Sequence, residues 1–215
     1  MTRAIKHHLT EPLLMGYAAG TLPEAFSLVV ASHVSLCDDC RAALAAYEEV
    51  GGHIIDDGGE IPVSDDALAA TLARIGDVSP DPRPDAPEPG VFPAPLRDYV
   101  RGDVDAVRWR RIAGGVSQMI LPTAKGATVR LLHIPAGAEM PDHGHRGTEL
   151  TLVLQGAFED EDGRFDVGDV EVANQDVKHT PVAVGDVDCI CLAATDAPLS
   201  FDGVLPKIAQ RIFRI

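Results

Sequence analysis

A proline-rich segment divides this sequence into two parts with different patterns. Seven prolines lie between residues 77 and 95, among acidic and small residues. Such a segment cannot continue a helix or a central strand, because proline lacks the backbone N–H group and has a fixed φ angle. The chain has 215 residues, which is enough for two small domains. We therefore predict a first domain over residues 1–76, a linker over 77–95 and a second domain over 96–215.

The part before the prolines has the pattern of a small all-α bundle. The sequences Thr10-Glu-Pro and Thr21-Leu-Pro-Glu each have the form of a helix start, with a capping threonine and a proline in the first turn. A third helix is predicted from Asp38 or Asp39, with an alanine-rich stretch over 41–50, and Gly51-Gly52 is expected to end it. A fourth helix is predicted over 64–75, with Leu68, Leu72 and Ile75 on one side.

Within this helical part, His33, Cys37 and Cys40 lie four and three residues apart. On a single helix these offsets would place the three side chains along one face. Cys-x-x-Cys is also a spacing that binds tetrahedral zinc through two thiolates. A fourth ligand could come from His7 or His8, and the spacing does not choose between them. We predict a structural zinc site; the alternatives are a redox dithiol, or buried cysteines beside a core histidine.

The charge of the chain limits its partners. The formal net charge is −15 and the isoelectric point is near 4.7, which argues against direct binding to nucleic acid or to an anionic membrane. Residues 48–88 contain eleven acids and two arginines, so they form either a solvated acidic surface or a surface complementary to a basic protein. Four cysteines do not suggest a disulfide scaffold. The apolar run 13–19 is too short for a signal peptide or a membrane span, so we expect a cytoplasmic protein.

The part after the prolines has the pattern of an antiparallel sandwich or barrel. It consists of short alternating or β-branched runs that are separated by glycine, proline and aspartate. Cys189 and Cys191 share one face of a predicted strand, where they either pack in the core or form a second metal or redox site. The predicted strands are 104–111, 116–121, 127–134, 150–154, 169–173, 188–194 and 210–215.

A second group of metal-binding residue types lies in this β-rich part. His143 and His145 are two residues apart, so they face the same side of a strand, and Glu149 follows four residues later. His179 comes ten residues after the turn sequence Gly168-Asp169. Three imidazoles and one carboxylate suit Zn²⁺, with iron, manganese or nickel as alternatives. We predict a second divalent metal bound by these four residues.

This stretch resembles the cupin family. Residues 137–156 match its first motif in full: Gly, five residues, His-x-His, three residues, Glu, six residues, Gly. The second motif is matched in part, because Asn174-Gln-Asp replaces the usual Pro-Gly turn and the terminal Asn is missing. The resemblance implies an all-β cupin barrel, that is, a double-stranded β-helix or jelly roll. A barrel that keeps the four residues but binds no metal is the alternative.

The two parts in this order resemble the ChrR-type zinc-binding anti-sigma factors. The most specific sequences are Leu36-Cys-Asp-Asp-Cys-Arg41 and Asp142-His-Gly-His-Arg-Gly147. The resemblance implies that His8, His33, Cys37 and Cys40 bind zinc. It also implies inhibition of an extracytoplasmic-function (group IV) sigma factor in a 1:1 complex, with the helical domain between the two sigma domains, and release on a signal such as singlet oxygen or organic peroxide.

A metal-dependent cupin enzyme, such as a dioxygenase or isomerase with a regulatory zinc module, is the alternative to a regulator. An open position on a His143, His145, Glu149 and His179 metal would suit a small substrate. A metal-binding interaction protein of another kind is a further alternative. We expect a regulator that is not itself an enzyme.

Overall fold

A computed structural model describes residues 4–76, 90–112, 114–141, 143–144, 146–175 and 177–198. Helices make up the first part of the chain, as predicted. Within the described ranges, no helix is long and apolar enough to span a lipid bilayer. The helices are α1 (Glu11–Ala18), α2 (Glu24–Leu36), α3 (Asp38–Asp56), α4 (Ala67–Gly76) and α5 (Ala94–Val100), followed by a 3-10 turn at Val104–Ala106.

The start of α1 follows the predicted pattern, whereas the predicted cap of α2 and the predicted end of α3 are wrong. Helix α1 begins after Thr10 with a proline in its first turn, although the Thr10 side chain makes no capping hydrogen bond. Helix α2 begins after Pro23, so Thr21 is not its capping residue. Helix α3 continues through Gly51 and Gly52 to Asp56. Neither glycine has a positive φ angle, so neither forms the left-handed cap that ends a helix. Glycine inside a helix costs only about 1 kcal/mol, and the neighbouring residues outweigh it here.

The second part is antiparallel throughout its described strands. A six-stranded sheet has the order β1-β2-β3-β11-β5-β8, a three-stranded sheet has the order β10-β6-β7, and β4 pairs with β9. This arrangement agrees with the predicted jelly roll. The strands are β1 (Arg110–Arg111), β2 (Ser117–Ile120), β3 (Thr128–Ile134), β4 (His143–Gly144), β5 (Glu149–Gln155), β6 (Ala157–Asp160), β7 (Gly163–Asp166), β8 (Val170–Ala173), β9 (Lys178–His179), β10 (Val182–Ala183) and β11 (Cys189–Thr195).

The long predicted strands are confirmed, whereas short strands were missed. Strands β4, β6, β7, β9 and β10 have two to four residues each, too few for an alternating pattern to be recognised. The prediction for 104–111 is wrong over most of its length, because only Arg110–Arg111 pairs with a neighbouring strand. Helix α5 was not predicted either. The predicted strand 210–215 lies outside the described residues.

The six-stranded sheet is buried on both faces. Leu192 pairs with Leu131 and Leu152, and these three leucines belong to the cluster that contains the helices. Cys191, the next residue in β11, pairs with Val153 and belongs to a second cluster inside the barrel with Phe158 and Phe165 of the smaller sheet. Because successive strand residues point to opposite faces, one face covers the barrel interior and the other packs on helices.

Helix α2 lies between the other helices and the barrel. It contacts α1, α3 and α5, and it also contacts β3, β5 and β11. Its side chains are buried nearly all round, with Val29 and Val30 fully enclosed. Phe92 and Leu96, just before and within α5, are buried in the same cluster. The helices and the barrel therefore share one hydrophobic core. The domain boundaries at 76 and 95 remain predictions.

Candidate metal centre

Four potential zinc ligands come from three different pieces of the helical part. His8 lies in the extended segment before α1, and His33 lies in the last turn of α2. Cys37 is the residue between α2 and α3, and Cys40 is in the first turn of α3. The three residues therefore do not lie on one helix, and the predicted start of the third helix at Asp38 or Asp39 is confirmed. The helical conformation is interrupted at Cys37, whose extended backbone turns α3 away from α2.

This interruption between α2 and α3 brings the four potential metal ligands together. The Nδ1 atom of His8 lies 3.3 Å from Sγ of Cys37 and 3.6 Å from Sγ of Cys40, and the Nε2 atom of His33 lies 3.3 Å from Sγ of Cys40. One donor atom from each residue lies within 4.8 Å of all the others. His33 and the two cysteines are buried, whereas His8 is exposed. Two imidazoles and two thiols in this arrangement fit a tetrahedral structural zinc site.

His7 does not belong to this group. Its ring contacts Phe165 of the barrel in a tilted arrangement, with the two ring centroids 4.2 Å apart. The fold therefore brings His8 to the thiols and turns its neighbour towards β7. The spacing of the sequence left both histidines open, and the resemblance to ChrR-type proteins pointed to His8.

The electrostatic environment suits a bound cation. Burial lowers the pKa of His33 to about 4, so its ring is neutral at pH 7 and its Nε2 atom is available as a ligand. Burial, together with the nearby Cys37, raises the pKa of the Cys40 thiol to about 11 in the absence of a metal. Both thiols must lose a proton to act as ligands, which a divalent cation makes favourable at neutral pH.

The predicted ligands of the barrel are only partly described. His145 lies outside the described residues, and of His143 only the backbone is described. That backbone pairs directly with His179 across strands β4 and β9. Glu149 begins β5 and accepts a hydrogen bond of 3.1 Å from the Thr151 hydroxyl. A site formed by His143, His145, Glu149 and His179 remains a prediction.

Two buried carboxylates that the sequence analysis missed lie against His179. The Nδ1 atom of His179 is 2.8 Å from an oxygen of Asp160 and 2.8 Å from an oxygen of Glu171, and all three side chains are buried. Burial lowers the pKa of His179, but the two carboxylates outweigh it and raise that pKa to about 9. A histidine held at Nδ1 by a carboxylate keeps Nε2 available for a metal. The signal in the sequence was an acid, Glu171, inside an otherwise apolar strand.

The two cysteines of β11 pack in the barrel core, as predicted. Cys189 and Cys191 are buried, and their sulfur atoms lie 3.4 Å apart. The hydrogen bond with Cys189, together with burial, raises the pKa of the Cys191 thiol. Both side chains belong to the apolar cluster inside the barrel.

The end of α3, α4 and the connection between them carry an exposed apolar face. Residues 48–76 contain seven acids and one arginine, so this face lies in strongly acidic surroundings. Leu68, Leu72 and Ile75 follow helical spacing but are exposed rather than packed in a bundle core. A concentration of exposed large apolar side chains in one stretch of the chain is typical of a protein interaction site. The exposed apolar face consists of Val50, Ile54, Ile55, Ile61, Val63, Leu68, Leu72 and Ile75.

These features define a helical module with a His₂Cys₂ cluster that is packed on a cupin-like β domain. Comparison with known proteins agrees. The family model described as the ChrR cupin-like domain matches residues 98–198. The anti-sigma-E factor ChrR of Cereibacter sphaeroides is 54% identical over 211 residues, which cover 98% of this chain and 99% of that protein. The chain therefore belongs to the ChrR family of anti-sigma factors.

One solved structure gives the same relationship. The crystal structure of Rhodobacter sphaeroides SigE in complex with the anti-sigma ChrR matches 90% of this chain and 100% of that chain, with 54% identity and a TM-score of 0.80. An RmlC-like cupin protein from Ralstonia eutropha matches 45% of this chain and 68% of that chain, with 26% identity and a TM-score of 0.40.

Proposed function

We propose that this protein is an anti-sigma factor that binds an extracytoplasmic-function sigma factor in a 1:1 complex and inhibits it. The observation that carries the proposal is the exposed apolar face on the acidic helices α3 and α4. Its support from relatives is the anti-sigma-E factor that is 54% identical over 98% of this chain. A second support is the ChrR chain solved in complex with SigE, which has the same fold over 90% of this chain.

The chemistry of the exposed apolar face suits a sigma factor. Sigma factors bind DNA and RNA polymerase, so they carry basic and apolar surfaces. Acidic residues in the same segment as exposed apolar side chains would attract such a partner over a distance, and the apolar side chains would then be buried on contact. With a net charge of −15, direct binding to nucleic acid is disfavoured. The inhibitor would therefore cover the surfaces that the sigma factor uses with the polymerase.

Zinc would be bound by His8, His33, Cys37 and Cys40 and would act as a structural cross-link. It would join the segment before α1, the end of α2 and the start of α3 at one point. Because α3 continues into the exposed apolar face, this cross-link would fix the orientation of the binding surface. The donor set and its burial support zinc over harder metals, since thiolates favour it over magnesium or calcium.

The barrel would hold a second divalent metal at His143, His145, Glu149 and His179, with Zn²⁺ as the first choice and iron, manganese or nickel as alternatives. Two observations support this assignment: the backbone pairing of His143 with His179, and the carboxylates that hold Nδ1 of His179. We further propose that the barrel is needed to release the sigma factor in response to an oxidant such as singlet oxygen or an organic peroxide.

We assign no enzymatic activity to this protein. A metal-dependent cupin enzyme was the alternative from sequence, but the anti-sigma relative matches the chain from end to end, including the helical part that an enzyme would not need. No turnover by the barrel is required for inhibition.

Inhibition can be tested with the full-length protein and an extracytoplasmic-function sigma factor from the same genome, whose gene we expect to lie beside the gene of this protein. We expect a 1:1 complex in size-exclusion chromatography and loss of sigma-dependent transcription in a purified system. Leu72→Asp places a charge in the exposed apolar face and should abolish both effects, whereas Val187→Asp, on an exposed loop of the barrel, should abolish neither. Full inhibition by Leu72→Asp would contradict the assigned surface, and no complex with wild type would contradict the function.

A further inference from the structure

The turn between β7 and β8 holds the segment that delivers His8. The buried Asp169 carboxylate accepts backbone N–H groups of Lys6 at 2.6 Å and of His7 at 3.0 Å through Oδ1. Its other oxygen accepts the N–H group of Asp166 at 2.8 Å. In addition, the N–H group of Val170 donates to the carbonyl of His7 at 3.2 Å. His7, the residue directly before the predicted ligand His8, is therefore fixed to the barrel through both its N–H group and its carbonyl group.

The same turn also orients His33. Its Nδ1 atom lies 2.9 Å from the carbonyl oxygen of Gly168, so a proton on Nδ1 leaves Nε2 free to face Cys40. Gly168 has a φ angle of +92°, and a Cβ atom there would come within 2.7 Å of the Ile5 side chain. Only glycine lets the carbonyl reach His33 while the segment before His8 packs above it. One turn thus supports both histidines of the His₂Cys₂ cluster.

Strand β8, which follows this turn directly, contacts the second candidate centre through a residue two positions beyond Asp169. Glu171 of β8 lies 2.8 Å from the Nδ1 atom of His179, deep in the barrel. β8 is also the edge strand of the six-stranded sheet, so it is held by one neighbouring strand, β5, and by the segment at residues 5–8. A displacement of Glu171 would therefore be transmitted through the backbone to Asp169 and Gly168.

We propose that residues 168–171 couple the two candidate metal centres, with Asp169 as the positioning residue for the zinc ligand His8 and Glu171 as the contact to His179. The coupling rests on the proposed zinc occupancy of the helical centre. Each centre should affect the other, because coupling between two sites is reciprocal. A change at His179 alters the affinity of the His₂Cys₂ cluster for metal, and loss of that metal loosens β8 in the barrel. An event in the barrel can thus reach the base of α3 without passing through residues 77–89.

The coupling can be tested by the affinity of the full-length protein for Co²⁺. Cobalt bound by cysteine gives a thiolate-to-metal charge-transfer absorption, so this signal reports the helical centre alone. Since loss of an outer-shell partner typically lowers metal affinity by about 10- to 100-fold, we expect a decrease of that size for Asp169→Ala. Asp169→Asn keeps one acceptor oxygen and should be intermediate. Asp186→Ala, on an exposed loop, is the matched control and should bind as wild type does.

The coupling to the barrel has its own variant. Glu171→Gln keeps the size of the side chain but removes the charge facing His179, and we expect it to lower cobalt affinity at the helical centre by about 10-fold. Circular dichroism of the metal-free variants, at a temperature where they are fully folded, separates this effect from unfolding. Hydrogen exchange at the amides of Lys6 and His7 should accelerate in Asp169→Ala and, through β8, in Cys37→Ser.

The outcomes are distinct. A wild-type protein without the cobalt–thiolate absorption would overturn the zinc centre and this inference together. A wild-type protein that binds cobalt, with an Asp169→Ala affinity within about twofold of it, would overturn the inference alone. An effect of Asp169→Ala that is not matched by any change in Glu171→Gln would show that the turn supports the zinc centre without coupling it to the barrel, and would also overturn the proposal.

Discussion

Truncation of two leucines on α4 should weaken sigma factor binding without affecting the fold. Leu68 and Leu72 are one helical turn apart on the exposed apolar face, and they expose 71% and 57% of their surface. Replacement by alanine removes apolar surface from a possible interface but keeps a strong helix former at each position. The free protein should therefore be as stable as wild type, and only the complex should change.

The size of the effect follows from the exposed area. If the complex buries roughly 100 Å² of apolar surface on each leucine, burial contributes about 2.5 kcal/mol per residue at about 25 cal/mol per Å². Alanine keeps a part of this area, so each substitution should cost about 1.5–2 kcal/mol, which raises Kd about 10- to 30-fold. The double variant should lose roughly 100- to 1000-fold, with incomplete additivity because the two side chains are neighbours.

Isothermal titration calorimetry of the full-length protein with its sigma factor measures this directly. Val187→Ala is the matched control, since Val187 is 54% exposed but lies on a loop of the barrel. A Kd for Leu68→Ala/Leu72→Ala that stays within about threefold of wild type, while Val187→Ala behaves the same, would refute the assignment of the exposed apolar face.

Three further predictions concern stability and metal binding. Cys37→Ser should remove one bound metal per chain, as measured by elemental analysis, and lower the melting temperature, as measured by circular dichroism. A chelator should lower the melting temperature of the wild type by a similar amount, but should not lower that of the variant further. Burial lowers the pKa of His33 from 6.5 to about 4, so on acidification the unfolded state binds a proton at this residue before the folded state does. The free energy of unfolding of the metal-free protein should therefore fall by up to about 3 kcal/mol as the pH decreases from 6.5 to 4. Urea unfolding of His33→Gln should lack this contribution. Leu192→Ala should cost about 2–5 kcal/mol in urea unfolding and shift the circular dichroism and Trp109 fluorescence transitions together, because the core is shared, whereas Leu36→Ala at the exposed end of α2 should change little.

Local patterns in the sequence were sufficient for the longer elements and for the types of ligand. The threonine–proline start of α1 and the alternating strands β3, β5 and β11 depend on neighbours a few residues apart, and these are visible in the chain itself. The same holds for the spacing of His33, Cys37 and Cys40, which indicated a thiol–imidazole metal centre. The glycines at 51 and 52 misled the prediction, since a glycine ends a helix only where the backbone takes a positive φ angle.

Tertiary structure decided the features that depend on residues far apart in the chain. The contact of His33 with Gly168 spans 135 residues, and the choice of His8 over His7 depends on the contact of the His7 ring with Phe165. Likewise, the apolar side of α4 has the spacing of a core helix, yet it is exposed, and α2 is the helix that packs on the sheet. The periodicity of the sequence predicts which residues share one face of a helix, but only the packing of the whole chain decides whether that face contacts the core or solvent. The metal-binding residue types were thus determined by the sequence, and their joining into one centre supported by the barrel was determined by the fold.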